Sequence, residues 1–194
     1  MNITDIARLV WRNGHSIKFG DADSWDDKLF TATWGASYQP KIPWRSYGKG
    51  WYWFLADLSI DELQALDRPN TLPLKGCNVG ETSRANWETF GPELLCKSSE
   101  DGRLVVYNGH EDSVCSRVRA HFALNNDRTG ALGLRHFLLH DRTWEVRVFA
   151  SPCLANLSDT DRARVTRLMN SKSGRCAVES AWRALYGWPV LCKE

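Results

Sequence analysis

The chain has 194 residues, 43% of them hydrophobic and 25% charged, and a formal net charge of +2. That length builds one compact domain, or a domain carrying an insertion, and no apolar run is long enough to predict a membrane-spanning helix. Residues 1–102 carry 11 Lys/Arg against 14 Asp/Glu and residues 103–194 carry 14 against 9, so the positive charge sits in the C-terminal half. In chain order, Ile3, Ile6, Leu9 and Val10 have helical spacing and predict a helix over residues 3–12. Residues 13–49, rich in Gly, Asp, Trp and Pro, predict loops with short extended pieces. Trp51-Tyr52-Trp53-Phe54-Leu55, after Gly48 and Gly50, predicts a strand. Ser59 with Glu62 forms a capping box that opens a helix to about Leu66. Residues 67–102 hold Pro69, Pro73, Gly76, Gly80, Gly91 and Pro92, which predicts irregular chain with a short helix near 83–90.

Leu104-Val105-Val106-Tyr107 predicts a second strand, Asn108-Gly109 a turn, and Asp112 or Ser113 the cap of a helix to about Leu124. Val114, Val118 and Phe122 give that helix an apolar stripe. Leu132, Leu134, Phe137 and Leu138 predict another helix over 130–140. Trp144–Phe149 alternates polar and apolar residues, which predicts a strand. Ser158 caps a helix near 160–169, and Gly174 starts a last one near 175–186 with Val178, Ala181, Trp182 and Leu185 inward. An extended tail follows at 188–191. The sum is an α/β (α+β) domain with a small mixed or antiparallel sheet flanked by helices.

Composition adds constraints. None of the six cysteines forms a C-x-x-C pair, so zinc-knuckle spacing is absent and free thiols are expected. Met1-Asn2-Ile3-Thr4-Asp5 lacks the features of a secretory signal, so a cytoplasmic, prokaryotic or phage-related protein is expected, without membrane attachment. Of ten tryptophans, seven precede residue 90; core packing is the expected role for most, with base stacking as the alternative. His136 and His140 share a helical face, but no acidic residue lies between them as in the metalloprotease motif, so no metal is expected there.

Chemistry gathers around one segment. Arg117 and His121 are four apart and share a helix face, while Tyr107 ends the strand just before that helix. A tyrosine, an arginine and a histidine around one pocket suit a phosphate group. Val105-Val106-Tyr107-Asn108-Gly109, followed by Arg117-Val118-Arg119-Ala120-His121-Phe122, resembles the second tyrosine strand and following helix of GIY-YIG nucleases, whose pattern is roughly Y-x-G and then R-x-x-x-H-F. Gly50-Trp51-Tyr52 resembles that family's first strand. Glu179, in Val178-Glu179-Ser180-Ala181-Trp182, resembles its late catalytic glutamate. The resemblance covers residues 50–55 and 103–192 and has three departures. Tyr52 and Tyr107 are 55 residues apart, leaving 56–102 as an insertion; the middle residue Asn108 is polar; and residues 187–192 lack the asparagine that often follows the glutamate helix.

The resemblance implies hydrolysis of DNA phosphodiesters by a metal-dependent endonuclease. A tyrosine, Tyr52 in preference to Tyr107, is the expected base, Arg117 the phosphate grip, and His121 a hydrogen-bonding partner of the phosphate or of Tyr52. Glu179 is the expected ligand of one Mg²⁺, with Mn²⁺ a substitute and no organic cofactor. Residues 1–49 form an N-terminal extension and 50–194 the catalytic domain. Lys41, Arg45, Lys49 and Arg119 are candidate contacts to double-stranded DNA, the first three interleaved with Trp44, Tyr47 and Trp51. The chain is closest in style to a compact type II restriction endonuclease, for which a palindromic target implies a homodimer. The alternatives are a repair or toxin-type nuclease of low sequence specificity and a non-catalytic nucleic-acid-binding module of the same fold.

Overall fold

The computed structural model describes residues 2–19, 25, 27–36, 48–98, 102–125, 130–139 and 142–193. A four-stranded antiparallel sheet lies at its centre: β1 (His15–Phe19), β2 (Gly50–Ala56), β3 (Leu104–Glu111) and β4 (Trp144–Ala150), in spatial order β1-β4-β2-β3. Every residue of β2 is buried. Helices cover both sheet faces, which is why Trp51–Leu55 is a continuous apolar run with no polar alternation.

On one face lie α1 (Ile3–Arg12) and α7 (Lys172–Tyr186), with α6 (Asp159–Met169) packed against α7. Trp53 meets Trp11 at 5.2 Å and Trp182 at 5.9 Å between ring centroids, and Trp51 Nε1 donates to the Arg175 carbonyl at 2.9 Å. The other face carries α2 (Asp27–Ala36) and α5 (Val114–Ala123). Phe122 is the hub there: its ring lies 5.2 Å from Phe54, 4.9 Å from Phe19 and 4.1 Å from Trp25. Trp11, Trp25, Trp34, Trp51, Trp53, Trp144 and Trp182 are therefore core or packed against it, whereas Trp87 is 37% exposed; Trp44 lies outside the described residues.

Several expectations change. Residues 13–49 are not all loop: they supply β1, which pairs with β4, and α2, whose Phe30 and Trp34 are buried. The N-terminal segment thus completes the same sheet and core as the rest of the chain. Asn108-Gly109 is no turn, because β3 runs on to Glu111 with Gly109 paired opposite Tyr52. Among the described residues, 130–139 form no α-helix. Gly133 sits at φ +68, a left-handed conformation that breaks a helical path, and only a 3-10 turn at Leu134–His136 follows. Leu138, expected inward, is 78% exposed, and His140 lies outside the described residues. The short helix near 83–90 is longer, α4 (Val79–Leu94), and is broken at Gly91 (φ +66) before Pro92.

Capping boxes do form where polar pairs stand at the right spacing. Ser59 and Glu62 open α3 (Ile60–Gln64), and the Asn2 side chain does the same for α1 with Asp5. Ser158 caps α6, while Ser171, three residues before Gly174, caps α7. All six cysteines are free thiols. Among the described residues, no helix is long and apolar enough to cross a membrane.

β3 is an edge strand of the sheet. Its outer side is covered by the chain end: Leu191 N–H donates to the Val106 carbonyl, and Asn108 N–H points at Cys192 Sγ. This cover removes a bare sheet edge. It also lets groups from both sheet faces meet around the C-terminal end of β3.

Candidate active site

A cleft of about 430 Å³ opens around that end of β3. Tyr52, Tyr107, Arg117, His121 and Glu179 all line it. So do Lys75, Asn108, Gly109, His110, Glu111, Arg183, Cys192 and Lys193.

β2 and β3 place the tyrosines. Tyr52 and Tyr107 point to the α5 face, with ring centroids 6.2 Å apart. The ring of Tyr52 crosses directly over Gly109: a Cβ built there would lie 2.6 Å from Tyr52 Oη and 2.8 Å from Cζ. The glycine of the Tyr107-x-Gly109 pair is thus required as a seat for the phenol on the neighbouring strand. Its φ is not positive, so backbone freedom is not the reason.

α5 places Arg117 and His121. Val114, Val118 and Phe122 bury one stripe of the helix, which turns Arg117 and His121 toward the strands. Arg117 Nη1 donates to the Gly130 carbonyl at 2.7 Å, and both tyrosines act electrostatically on the guanidinium. Burial opposes its charge, but the two hydroxyls outweigh burial and hold the group cationic.

His121 is 1% exposed and bonded at both nitrogens. Leu132 N–H donates to Nδ1 at 3.2 Å, and Nε2 lies 3.1 Å from Tyr52 Oη. A nitrogen that accepts carries no proton, so the neutral ring is protonated at Nε2 and donates to Tyr52. Burial, and then Arg117, push the His121 pKa well below its usual value, which keeps the ring neutral. Tyr52 Oη therefore accepts from His121.

Burial pushes the Tyr52 hydroxyl well above its ordinary pKa, the neighbouring Tyr107 adds to the rise, and Arg117 opposes it. Tyr107 is raised to about 12, again chiefly by burial. Both phenols are consequently protonated at neutral pH in the free protein.

Glu179 comes from the opposite sheet face on α7. Its side chain is 15% exposed; Arg183 Nη2 holds one oxygen at 2.5 Å, and His110 Nε2 lies 3.8 Å from the other. Burial raises the carboxyl pKa, and Arg183 works against that rise. Arg183 is anchored in turn, with Nε donating to Asn108 Oδ1 at 2.9 Å and its guanidinium 4.3 Å over the Trp188 ring. Asn108, the polar residue in the middle of the strand motif, is 2% exposed and serves that arginine. Where an asparagine was sought after the glutamate helix, Cys192 stands instead, its sulfur 3.3 Å from Asn108 Oδ1.

Arg119 and Lys49 do not line the cleft, and Lys49 Nζ donates to the Asn170 carbonyl at 3.4 Å. Lys41 and Arg45 lie outside the described residues. Sequence reasoning missed Lys75, His110, Arg183 and Lys193. His110 directly follows the Tyr107-Asn108-Gly109 motif, and Arg183 stands one helical turn after Glu179; the expected Asn108-Gly109 turn hid the first.

Among the described residues, no group of three or more His, Cys, Asp or Glu side chains could hold a metal by itself. Glu179 offers one partly buried carboxylate in a cleft open to solvent, which fits Mg²⁺, an ion that keeps several waters and takes one or two carboxylates plus phosphate oxygens. With Lys75, Arg117, Arg183 and Lys193 against Glu111 and Glu179, the cleft lining suits an anion. Comparison with known proteins finds no matching family model, no matching curated protein and no matching solved structure.

Proposed function

We propose that the chain is a metal-dependent endonuclease hydrolysing DNA phosphodiesters, a compact type II restriction endonuclease of the GIY-YIG kind that acts on double-stranded DNA as a homodimer. The observation that supports it most is the meeting of Tyr52, Tyr107, Arg117, His121 and Glu179 at one cleft, although they come from four separate elements. Sequence spacing alone could relate only Tyr107, Arg117 and His121.

In this reading Tyr52 takes the proton from the attacking water. The N–H donated by His121 and the nearby Arg117 charge prepare Oη to carry negative charge. His121 aims the phenol and stays neutral. Arg117 grips the phosphate oxygens with its forked donors. Glu179 would hold Mg²⁺, which supplies charge neutralisation at the leaving oxygen. Tyr107 supports the Arg117 guanidinium from the second strand.

One observation favours a second reading, a non-catalytic nucleic-acid-binding module: both phenols are held protonated and Glu179 is already paired with Arg183. Plasmid DNA incubated with the protein and Mg²⁺, followed by run-off sequencing, separates the readings. Cuts at one recurring sequence support a restriction enzyme, scattered cuts a repair or toxin-type nuclease, and binding without cuts in Mg²⁺ or Mn²⁺ the module.

A further inference from the structure

The cleft contains a second histidine, His110, which the reading above leaves without a task. Its side chain is 16% exposed at the lip beside Glu179. The adjoining Arg175 explains how this ring is used. Arg175 is 2% exposed and held on three sides: Nη1 donates to the Met169 carbonyl at 2.7 Å, Nη2 pairs with Asp112 at 2.9 Å, and its own carbonyl accepts from Trp51 Nε1 at 2.9 Å. Its Nε–H points at His110 Nδ1 at 3.5 Å.

A guanidinium only donates, so a proton on Nδ1 would face another N–H. The neutral His110 ring must therefore carry its proton on Nε2. That edge faces Glu179 Oε2 at 3.8 Å and Cys176 Sγ at 3.1 Å. The same constraint bars Nε2 from being a metal ligand: a neutral imidazole bound through Nε2 has to move its proton to Nδ1, where Arg175 stands. Both cleft histidines thus follow one design, with Nδ1 satisfied by a protein donor and Nε2–H presented inward.

We propose that His110 is a further catalytic residue: a fixed Nε2–H donor to a phosphodiester oxygen on the Glu179 side of the cleft, opposite Arg117, and not a ligand of the metal. The exposed Cys176 sulfur is its resting partner and gives way to the phosphate. A donor aimed in advance stabilises charge without reorganising during reaction. Arg175 is then a positioning residue, which accounts for a buried arginine beside the cleft.

This inference rests on the nuclease reading, and the test separates the two. Single-turnover cleavage of plasmid is measured for wild type, His110→Ala, His110→Gln and His110→Asn, with Mn²⁺ binding to each measured calorimetrically without DNA. The terminal amide of glutamine can stand near Nε2, that of asparagine near Nδ1. We expect His110→Ala and His110→Asn to lose about a hundredfold in rate, typical of a lost donor, His110→Gln to recover most of it, and Mn²⁺ affinity to be unchanged throughout. Full activity in His110→Ala, equal rates for Gln and Asn, or a loss of Mn²⁺ affinity each overturns the assignment while leaving the nuclease reading intact. If wild type does not cut at all, both fall.

Discussion

His121 Nε2 lies 3.1 Å from Tyr52 Oη, and because Leu132 N–H occupies Nδ1, the imidazole donates and the phenol accepts. His121 is therefore no base toward Tyr52. The phenol needs alkaline conditions, or the charges that arrive with substrate and cation, to lose its proton. Its pKa is raised, so the ionised fraction grows with pH across the whole range below that pKa. The cleavage rate should climb about tenfold per pH unit from neutrality upward, and Tyr52→Phe should flatten that limb. A rate profile that is flat in wild type between pH 7 and about 9 contradicts this role.

Glu179 is held at a cost in stability. A carboxyl whose pKa is higher in the folded state binds its proton more tightly there. Its contribution to stability is therefore largest at low pH and is lost as pH rises through and above the ordinary carboxylate range. Glutamine, a neutral near-isostere, escapes that loss. Glu179→Gln should be at least as stable as wild type at pH 7 and indistinguishable from it in acid, while inactive. Thermal unfolding of both proteins at the two pH values checks this; a less stable variant at pH 7 counts against it.

Gly109→Ala should damage the site from the sheet side. The new Cβ lies 2.6 Å from Tyr52 Oη, so the ring must shift off its partners His121 and Arg117. Overpacking of this kind costs about 1–3 kcal/mol. The expected result is a folded protein with a lowered thermal midpoint and a larger fractional loss in rate than in DNA affinity. Wild-type kinetics in Gly109→Ala would mean that the ring position is irrelevant.

Arg117→Lys tests the phosphate grip. One ammonium cannot hold the Gly130 carbonyl and also present the fork of donors that matches a phosphate. The rate should fall about a hundredfold with the circular dichroism spectrum unchanged. If lysine substitutes freely, Arg117 supplies only charge.

How much of this could be read from the sequence depends on the range of the causal contact. Ser59 with Glu62 and Ser158 with Asp161 announce helices through bonds three residues long, and those helices form. The apolar runs at 51–55 and 104–107 predict strands because packing on both faces demands them. Gly109 was misread as a turn because its real constraint, the Tyr52 ring, arrives from a strand far away in sequence. β1 was hidden because His15–Phe19 is a strand only when β4 lies beside it. The helix expected at 130–140 had suitable apolar spacing, but Gly133 turns left-handed.

In the site, Arg117 and His121 were legible from a four-residue spacing on one helix. Nothing local tells that Glu179 faces Tyr52, since they approach β3 from opposite faces of the sheet. The segment 56–102, expected as an insertion, sends Lys75 and Cys77 into the cleft wall, and its Asn86 side chain bonds the Val190 and Cys192 carbonyls of the chain end. Those contacts could be found only in three dimensions.

The central claim is best tested by a Mg²⁺ titration of single-turnover plasmid cleavage with wild type and Glu179→Gln purified side by side. The account predicts cleavage by wild type that saturates with Mg²⁺ and vanishes in chelator, and a rate at least about a thousandfold lower in the variant at every concentration. Equal cleavage by both proteins, or DNA binding by wild type with no cleavage in Mg²⁺ or Mn²⁺, would contradict it.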